Sequence, residues 1–198
     1  MKKQKNKALN LKVKIISGIW GGRNINFLSK KDLRPTKNII RETLFNWLGS
    51  DLTDLICLDL FAGSGVLGFE SASRGAKNVY LVDIDRDVVR CLEEQKNILD
   101  AKNILIEHSS SDDFISKFTG KVDLLFLDPP FSDIIINTTI NSSGFSQLLN
   151  NNCKIYIEIP FEQNYVDIIK APISWKLIKH GKSGDVAYLL YKHNYSMI

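Results

Sequence analysis

Leu55-Ile56-Cys57-Leu58-Asp59-Leu60-Phe61-Ala62-Gly63-Ser64-Gly65-Val66-Leu67-Gly68 is the stretch that decides the fold of this chain. The apolar run 55–60 predicts a buried strand, and the residues from Val66 predict a helix stopped by Gly75. Gly63, Gly65 and Gly68 fit the Gly-x-Gly-x-x-Gly spacing in the turn between them. A strand, a glycine turn and a helix together aim the unpaired N–H groups of the helix start at a ligand. Asp83, at the end of the next predicted strand (78–84), stands where an acid bonds ribose hydroxyls. A tight turn that merely needs small residues would leave that carboxylate unexplained.

Outward from this unit, strands and helices alternate. A helix over 86–99, a strand over 103–107, a short helix over 112–118 and a strand ending at Asp128 follow in order. A polar loop with some helix (132–144) and a strand over 154–159 come next. Such alternation predicts a parallel sheet with right-handed crossovers. The segments 174–179 and 186–191 flank Gly181-Lys182-Ser183-Gly184 and predict an antiparallel hairpin on the sheet.

The second chemical stretch is Asp128-Pro129-Pro130-Phe131, at the C-terminal end of a strand, the edge where open α/β sheets bind ligands. Consecutive prolines lack N–H donors and hold the turn extended. The Asp128 carboxylate and the Pro129 carbonyl then form a fixed pair of acceptors beside an aromatic ring, suited to a planar amine. A nicotinamide dinucleotide would need its pyrophosphate at the helix start. S-adenosylmethionine instead brings an ammonium, a carboxylate and a sulfonium, and Asp59 supplies an acid for the cation. No acid or base for a dehydrogenase presents itself, so the methyl donor is favoured.

The chain has 198 residues, 44% hydrophobic and 24% charged, a composition expected for one globular domain with a small extension. No apolar run is long enough to cross a bilayer, and the basic start lacks an apolar signal core, so a soluble, cytoplasmic protein is expected. Cys57, Cys91 and Cys153 form no Cys-x-x-Cys pair and are expected as reduced core residues; no metal site is expected. Residues 1–50 carry 12 Lys and Arg against 2 Asp and Glu, a balance of +10, whereas the remainder carries 14 against 20, or −6. The front of the chain therefore suits a polyanion. It reads as a basic tail, a small hairpin (12–17 and 24–28), and a helix with Thr36 as N-cap. Ile39, Ile40, Thr43, Leu44, Trp47 and Leu48 form the apolar stripe of that helix, with Arg41 on its other face.

Leu58-Asp59-Leu60-Phe61-Ala62-Gly63-Ser64-Gly65 with Asp128-Pro129-Pro130-Phe131 resembles the Asp/Asn-Pro-Pro-aromatic branch of S-adenosylmethionine-dependent amino-methyltransferases. Leu33-Arg34-Pro35-Thr36, Arg41-Glu42-Thr43-Leu44-Phe45-Asn46-Trp47-Leu48 and Gly184-Asp185-Val186-Ala187-Tyr188 are similar to more specific runs in the bacterial enzymes that methylate N2 of a guanine in 16S rRNA. The resemblance covers nearly the whole chain after the tail. It implies a Rossmann-like, seven-stranded α/β methyltransferase sheet over 51–198, with residues 1–50 as an RNA-facing extension of tail, β-hairpin and helix.

The same resemblance implies S-adenosyl-L-methionine as cofactor, with Asp59, Gly63 and Gly65 around its methionine end and Asp83 on the ribose. Phe61, Ala62, Leu67 and Ile84 complete the cofactor lining. Ser109-Ser110-Ser111 stands where related enzymes often place Asp or Asn, and Ser110 is assigned to the adenine amine. Asp128 and the Pro129 carbonyl would orient the guanine amine, with Pro130 stiffening the turn and Phe131 stacking on the base. Arg23, Arg34, Thr36 and Arg41 would contact RNA. The implied partner is 16S rRNA, free or in an assembling small subunit, met by a monomer away from any membrane. An adenine-N6 amino-methyltransferase and a non-catalytic RNA-binding module remain open, because the Asp-Pro-Pro turn accepts any planar exocyclic amine.

Overall fold

The computed structural model describes residues 10–29, 35–129 and 133–194. A two-stranded antiparallel ribbon, β1 (Asn10–Lys14) and β2 (Asn24–Leu28), leads into helix α1 (Asn38–Leu48). The main unit follows as β3 (Ile56–Asp59), α2 (Val66–Ser73), β4 (Asn78–Asp83), α3 (Arg86–Leu99), β5 (Ile104–His108), α4 (Ser111–Lys117) and β6 (Val122–Leu127). Then come α5 (Asp133–Ile140), a 3-10 turn (Phe145–Leu148), β7 (Leu149–Pro160), α6 (Tyr165–Ile168), β8 (Trp175–Ser183) and β9 (Val186–His193). The seven-stranded sheet has the order β5-β4-β3-β6-β7-β9-β8, with β9 antiparallel to both neighbours. This is the expected α/β methyltransferase fold.

The order of strands positions the site. Chain progress moves from β3 to β4 on one side and later returns to β6 on the other, so the connections leaving β3 and β6 diverge to opposite faces. A crevice opens between them at the C-terminal edge, where ligands bind in open α/β sheets. The glycine turn and Asp128 are therefore neighbours although 65 residues separate Gly63 from Asp128.

Two apolar clusters cover the two sheet faces. One joins Cys57, Leu124, Phe126 and Tyr156 to α2, to α3, and to Ile15, Ile25, Ile40, Leu44 and Phe45 of the N-terminal extension. The other packs Leu58, Leu125, Leu127 and Ile157 against α4, α5 and the 3-10 turn. Alternate residues of each strand thus face opposite layers, which accounts for the unbroken apolar runs in sequence. All three cysteines are buried free thiols.

Several boundaries differ from expectation, each for a local reason. β1 ends at Lys14 because the N–H groups of Ile16 and Ser17 are taken by the buried Glu70 carboxylate, at 2.7 and 3.0 Å. In α1 Lys37, not Thr36, occupies the cap position and makes no side-chain cap bond. The buried stripe of α1 is Ile40, Arg41, Leu44, Phe45 and Leu48, while Ile39 is 58% exposed. β7 begins five residues before the expected 154: Leu149 pairs with Val122, and an irregularity separates that pair from the regular register that starts at Leu124 and Lys154. The final hairpin runs through Gly181 and turns at Gly184. Gly181 pairs with Tyr188, and a Cβ at Gly181 would stand 2.7 Å from that ring, so the glycine makes room for the aromatic within the ladder.

Candidate active site

The glycine turn is tied to both flanking strands. Leu60 N–H donates to the Phe126 carbonyl at 3.4 Å and Ala62 N–H to the Val82 carbonyl at 2.9 Å. Gly63 (φ 48°) and Gly65 (φ 73°) adopt the left-handed conformation that side chains disfavour. Gly65 also has no room, since a Cβ there would lie 2.4 Å from Leu92 Cδ2 and 2.9 Å from Phe69 Cε2. At Gly68 an added Cβ would come 2.1 Å from Leu81 Cδ2, so this third glycine lets α2 lie close on β4. The Asp83 carboxylate braces the turn, accepting from Gly63 N–H at 2.9 Å and from Asp85 N–H at 2.8 Å. Ala62 and Leu67 are core side chains, Phe61 is half-buried, and Ile84 is 72% exposed just past Asp83. Ser110 caps α4: its hydroxyl accepts from Asp113 N–H at 3.1 Å and donates to the Asp113 carboxylate at 3.0 Å.

Across the crevice, carboxylates from three strands converge. Asp59 closes β3, Asp128 follows β6, and Glu158 lies near the end of β7, all on the sheet face that carries Cys57, Phe126 and Tyr156. Asp59 is buried, and among the described residues its one hydrogen bond comes from Phe61 N–H at 3.3 Å. Desolvation, helped by Asp83 and Glu158, pushes it up to about 7 against that hydrogen bond. Asp128 is half-buried; desolvation, with the charges of Glu158 and Asp59, holds its carboxyl well above the usual range. Burial also pushes Glu158 up to about 7, against hydrogen bonds from the Thr36 and Tyr156 hydroxyls and the charge of Lys37. The Tyr156 hydroxyl donates to Glu158 Oε1 at 2.9 Å. Pro129 is buried beside this group; Pro130 and Phe131 lie outside the described residues.

The expected RNA contacts divide on burial. Arg23 sits at the surface, donating to the Ile98 carbonyl at 3.2 Å. Arg34 lies outside the described residues. Arg41 requires correction: its side chain has no solvent exposure, its guanidinium is 3.6 Å from Glu70 and it bonds the Thr36 carbonyl and Asn38. A buried guanidinium already paired with a carboxylate is not available to a phosphate. Thr36 is corrected too, because it is buried and its hydroxyl turns inward to Glu158. Glu70 also pairs with Arg74 at 2.8 Å, and Ser73 Oγ bridges Trp20 N–H and the Ser17 carbonyl. Polar contacts thus dock the extension on α2.

This arrangement has counterparts among known proteins. Residues 13–192 match the family model described as conserved hypothetical protein 95. The chain belongs to this family. Within the conserved hypothetical protein 95 family and its relatives, it is 35% identical over 190 residues to ribosomal RNA small subunit methyltransferase D of Escherichia coli K12, spanning 96% of this chain and 94% of that protein. The protein of the same description from Haemophilus influenzae is 36% identical over 197 residues, 98% of this chain and 100% of its own length. A solved Escherichia coli structure provisionally described as a methyltransferase superposes with a TM-score of 0.82 at 33% identity, covering 93% of this chain and 99% of that one.

Sequence reasoning passed over Glu158 and Tyr156. They read as two members of the apolar strand Ile155-Tyr156-Ile157-Glu158-Ile159. The signal available was the acid itself, since a carboxylate inside an apolar strand needs a partner or a task.

Proposed function

We propose that this chain methylates the exocyclic N2 amine of a guanine in small-subunit ribosomal RNA with S-adenosyl-L-methionine as the methyl donor. The observation that carries the reading is the facing of two unlike sites across one crevice: a glycine turn braced by Asp83, and the Asp128-Pro129 acceptor pair. The similarity to ribosomal RNA small subunit methyltransferase D supports the RNA class. The guanine N2 specificity rests on the resemblance of the flanking sequence runs.

The residues present suit the cofactor. Asp59 is a buried acid with one N–H donor among the described residues, and an ammonium beside it would supply the missing counter-charge. The N–H groups of the glycine turn suit the amino-acid carboxylate, and Asp83 suits the ribose hydroxyls. Phe61, Ala62, Leu67 and the exposed Ile84 line the same edge. After capping α4 the Ser110 hydroxyl retains one lone pair, the position open to the adenine amine. When bound, the cofactor supplies a methyl group on a positively charged sulfur.

Guanine N2 is a weak nucleophile because its lone pair is delocalised into the ring. Asp128 accepts one N–H and the Pro129 carbonyl the other, turning the lone pair toward the methyl carbon. As nitrogen gains the methyl group it becomes acidic, and its proton passes to Asp128 or water. The base must leave its stack to reach this edge, with Phe131 as its stacking partner and Arg23 and Arg34 as phosphate contacts. The protein acts as a cytoplasmic monomer, with residues 1–50 as its RNA-facing part.

Incubation with methyl-labelled S-adenosylmethionine and either 16S rRNA, assembling small subunits or DNA tests the reading through the labelled nucleoside. N2-methylguanosine is expected in the RNA. Label in N6-methyladenosine would move the chain to the adenine class, and bound cofactor without any transfer would make it a binding module.

A further inference from the structure

Glu158 is a buried acid at the active edge for which the mechanism above has no task. β6 and β7 run parallel, with Leu127 level with Ile157, so the next residue on each is Asp128 and Glu158. Two positions earlier Phe126 and Tyr156 meet edge to face at 6.2 Å, which fixes the shared side of the sheet. A second buried acid in the molecule shows what a purely structural glutamate looks like here. Glu70 is neutralised by Arg41 and Arg74 and accepts two backbone N–H groups. Glu158 has no ion pair among the described residues; its donors are two neutral hydroxyls, on Tyr156 and Thr36. Lys37, whose charge acts on Glu158, directs its amine to the Ser183 carbonyl at 3.3 Å.

We propose that Glu158 is the positioning carboxylate of the amine site, held by the Tyr156 and Thr36 hydroxyls beside Asp128 so as to strengthen Asp128 as acceptor of the proton that leaves the amine. This rests on the reading of Asp128 as the amine acceptor. The groups that face Glu158 are Asp59 from β3, Asp128 beyond β6, Tyr156 on its own strand, Tyr188 opposite it on β9, and Thr36 and Lys37 from the chain entering α1. The two hydroxyl donors offset part of the burial that holds the proton on Glu158, and once Glu158 is ionised its charge raises the proton affinity of Asp128. A carboxylate held above its ordinary range takes a proton more effectively than an ordinary carboxylate. In the transfer step the amine lone pair forms the C–N bond while the C–S electron pair returns to sulfur. The amine proton moves to Asp128 and then to solvent.

The test is the pH dependence of single-turnover methylation of small-subunit RNA by the parent, Glu158→Gln and Tyr156→Phe, with carboxyl NMR titration of the cofactor-free proteins. Ionised Asp128 is the active form, so the rate rises with pH along an acid limb. Glu158→Gln removes the neighbouring charge and is expected to move that limb, and the Asp128 titration, about one pH unit lower. Tyr156→Phe removes one donor, lets Glu158 hold its own proton more readily and moves the limb the same way by less. A rate lowered equally at every pH, with limb and titration unmoved, would make Glu158 merely structural and overturn the proposal. Should Glu158→Gln fail to fold, Tyr156→Phe decides alone by the same criterion. If Asp128→Ala retains turnover, the underlying amine-site reading falls. An inactive Asp128→Ala with an unmoved limb in Glu158→Gln rejects only the role of Glu158.

Discussion

The two sides of the crevice use carboxylates in opposite ways. On the side of β4, Asp83 and Asp85 are occupied by backbone N–H groups: Asp83 braces Gly63 and Asp85, and Asp85 caps α3 through Asp87 and Val88. Where β3, β6 and β7 lie side by side, Asp59, Asp128 and Glu158 crowd together with few donors, and each is pushed above its ordinary range. Acids engaged by backbone N–H donors hold a chain in shape. Acids short of donors keep capacity for a cation or a proton, which is what a methyl donor and an amine bring.

The sharpest way to break this contrast is Asp128→Ala. Loss of methyl transfer on the order of 10²–10⁴-fold is expected, with cofactor affinity nearly unchanged, as measured by single turnover and by titration calorimetry. Near-parental turnover would remove Asp128 from the chemistry. Next in size is Glu70→Leu, which leaves Arg41 buried without its carboxylate and unfastens the extension from α2. A loss of about 3–5 kcal/mol in unfolding free energy, read from denaturant midpoints, is expected.

The crowded acids also make a pH prediction. Asp59 and Glu158 hold protons in the folded state up to about pH 7, whereas the unfolded chain releases them near ordinary carboxylate values of 3.8 and 4.5. Their stabilising contribution is therefore complete below those unfolded values and is lost as pH rises through about 7. Asp59→Asn should remove a few kcal/mol of that fall in the cofactor-free protein, since each pKa unit is worth about 1.4 kcal/mol. A parental slope in the variant would mean that Asp59 is ionised in the folded chain well below neutrality.

In the glycine turn, Gly65→Ala drives a methyl group against Leu92 and Phe69 at a left-handed position and should cost roughly 1–3 kcal/mol. Unchanged thermal midpoints would show that the turn relaxes freely. The smallest expected effect is that of Arg23→Ala: weaker RNA binding with a salt slope reduced by about 1, and no change in cofactor affinity. An unaltered slope would take Arg23 off the RNA path.

Local signals were read well where spacing and chemistry agreed. The helix over 86–99 matches α3 residue for residue, because an apolar 3.6-residue period coincides with an Asp85 cap and the Asp100 stop. The glycine turn was legible because its residues perform their task through their own backbone. Arg41 was misread because helical periodicity identifies a face only up to a rotation, and a charge was assumed to face water. In this fold Glu70 neutralises it from another helix, 29 positions away.

The sequence by itself determined the alternation of strands and helices, the glycine turn, the Asp128-Pro129 turn and the basic front, since each is written in neighbouring residues. Only the tertiary structure decided which acids meet. Asp59, Asp128 and Glu158 come from three strands whose adjacency follows from sheet order, and Thr36 reaches Glu158 only because the extension packs on that face. The physical reason is range. Turn geometry and helix periodicity act within a few residues, whereas desolvation and charge crowding depend on partners brought together across the sheet.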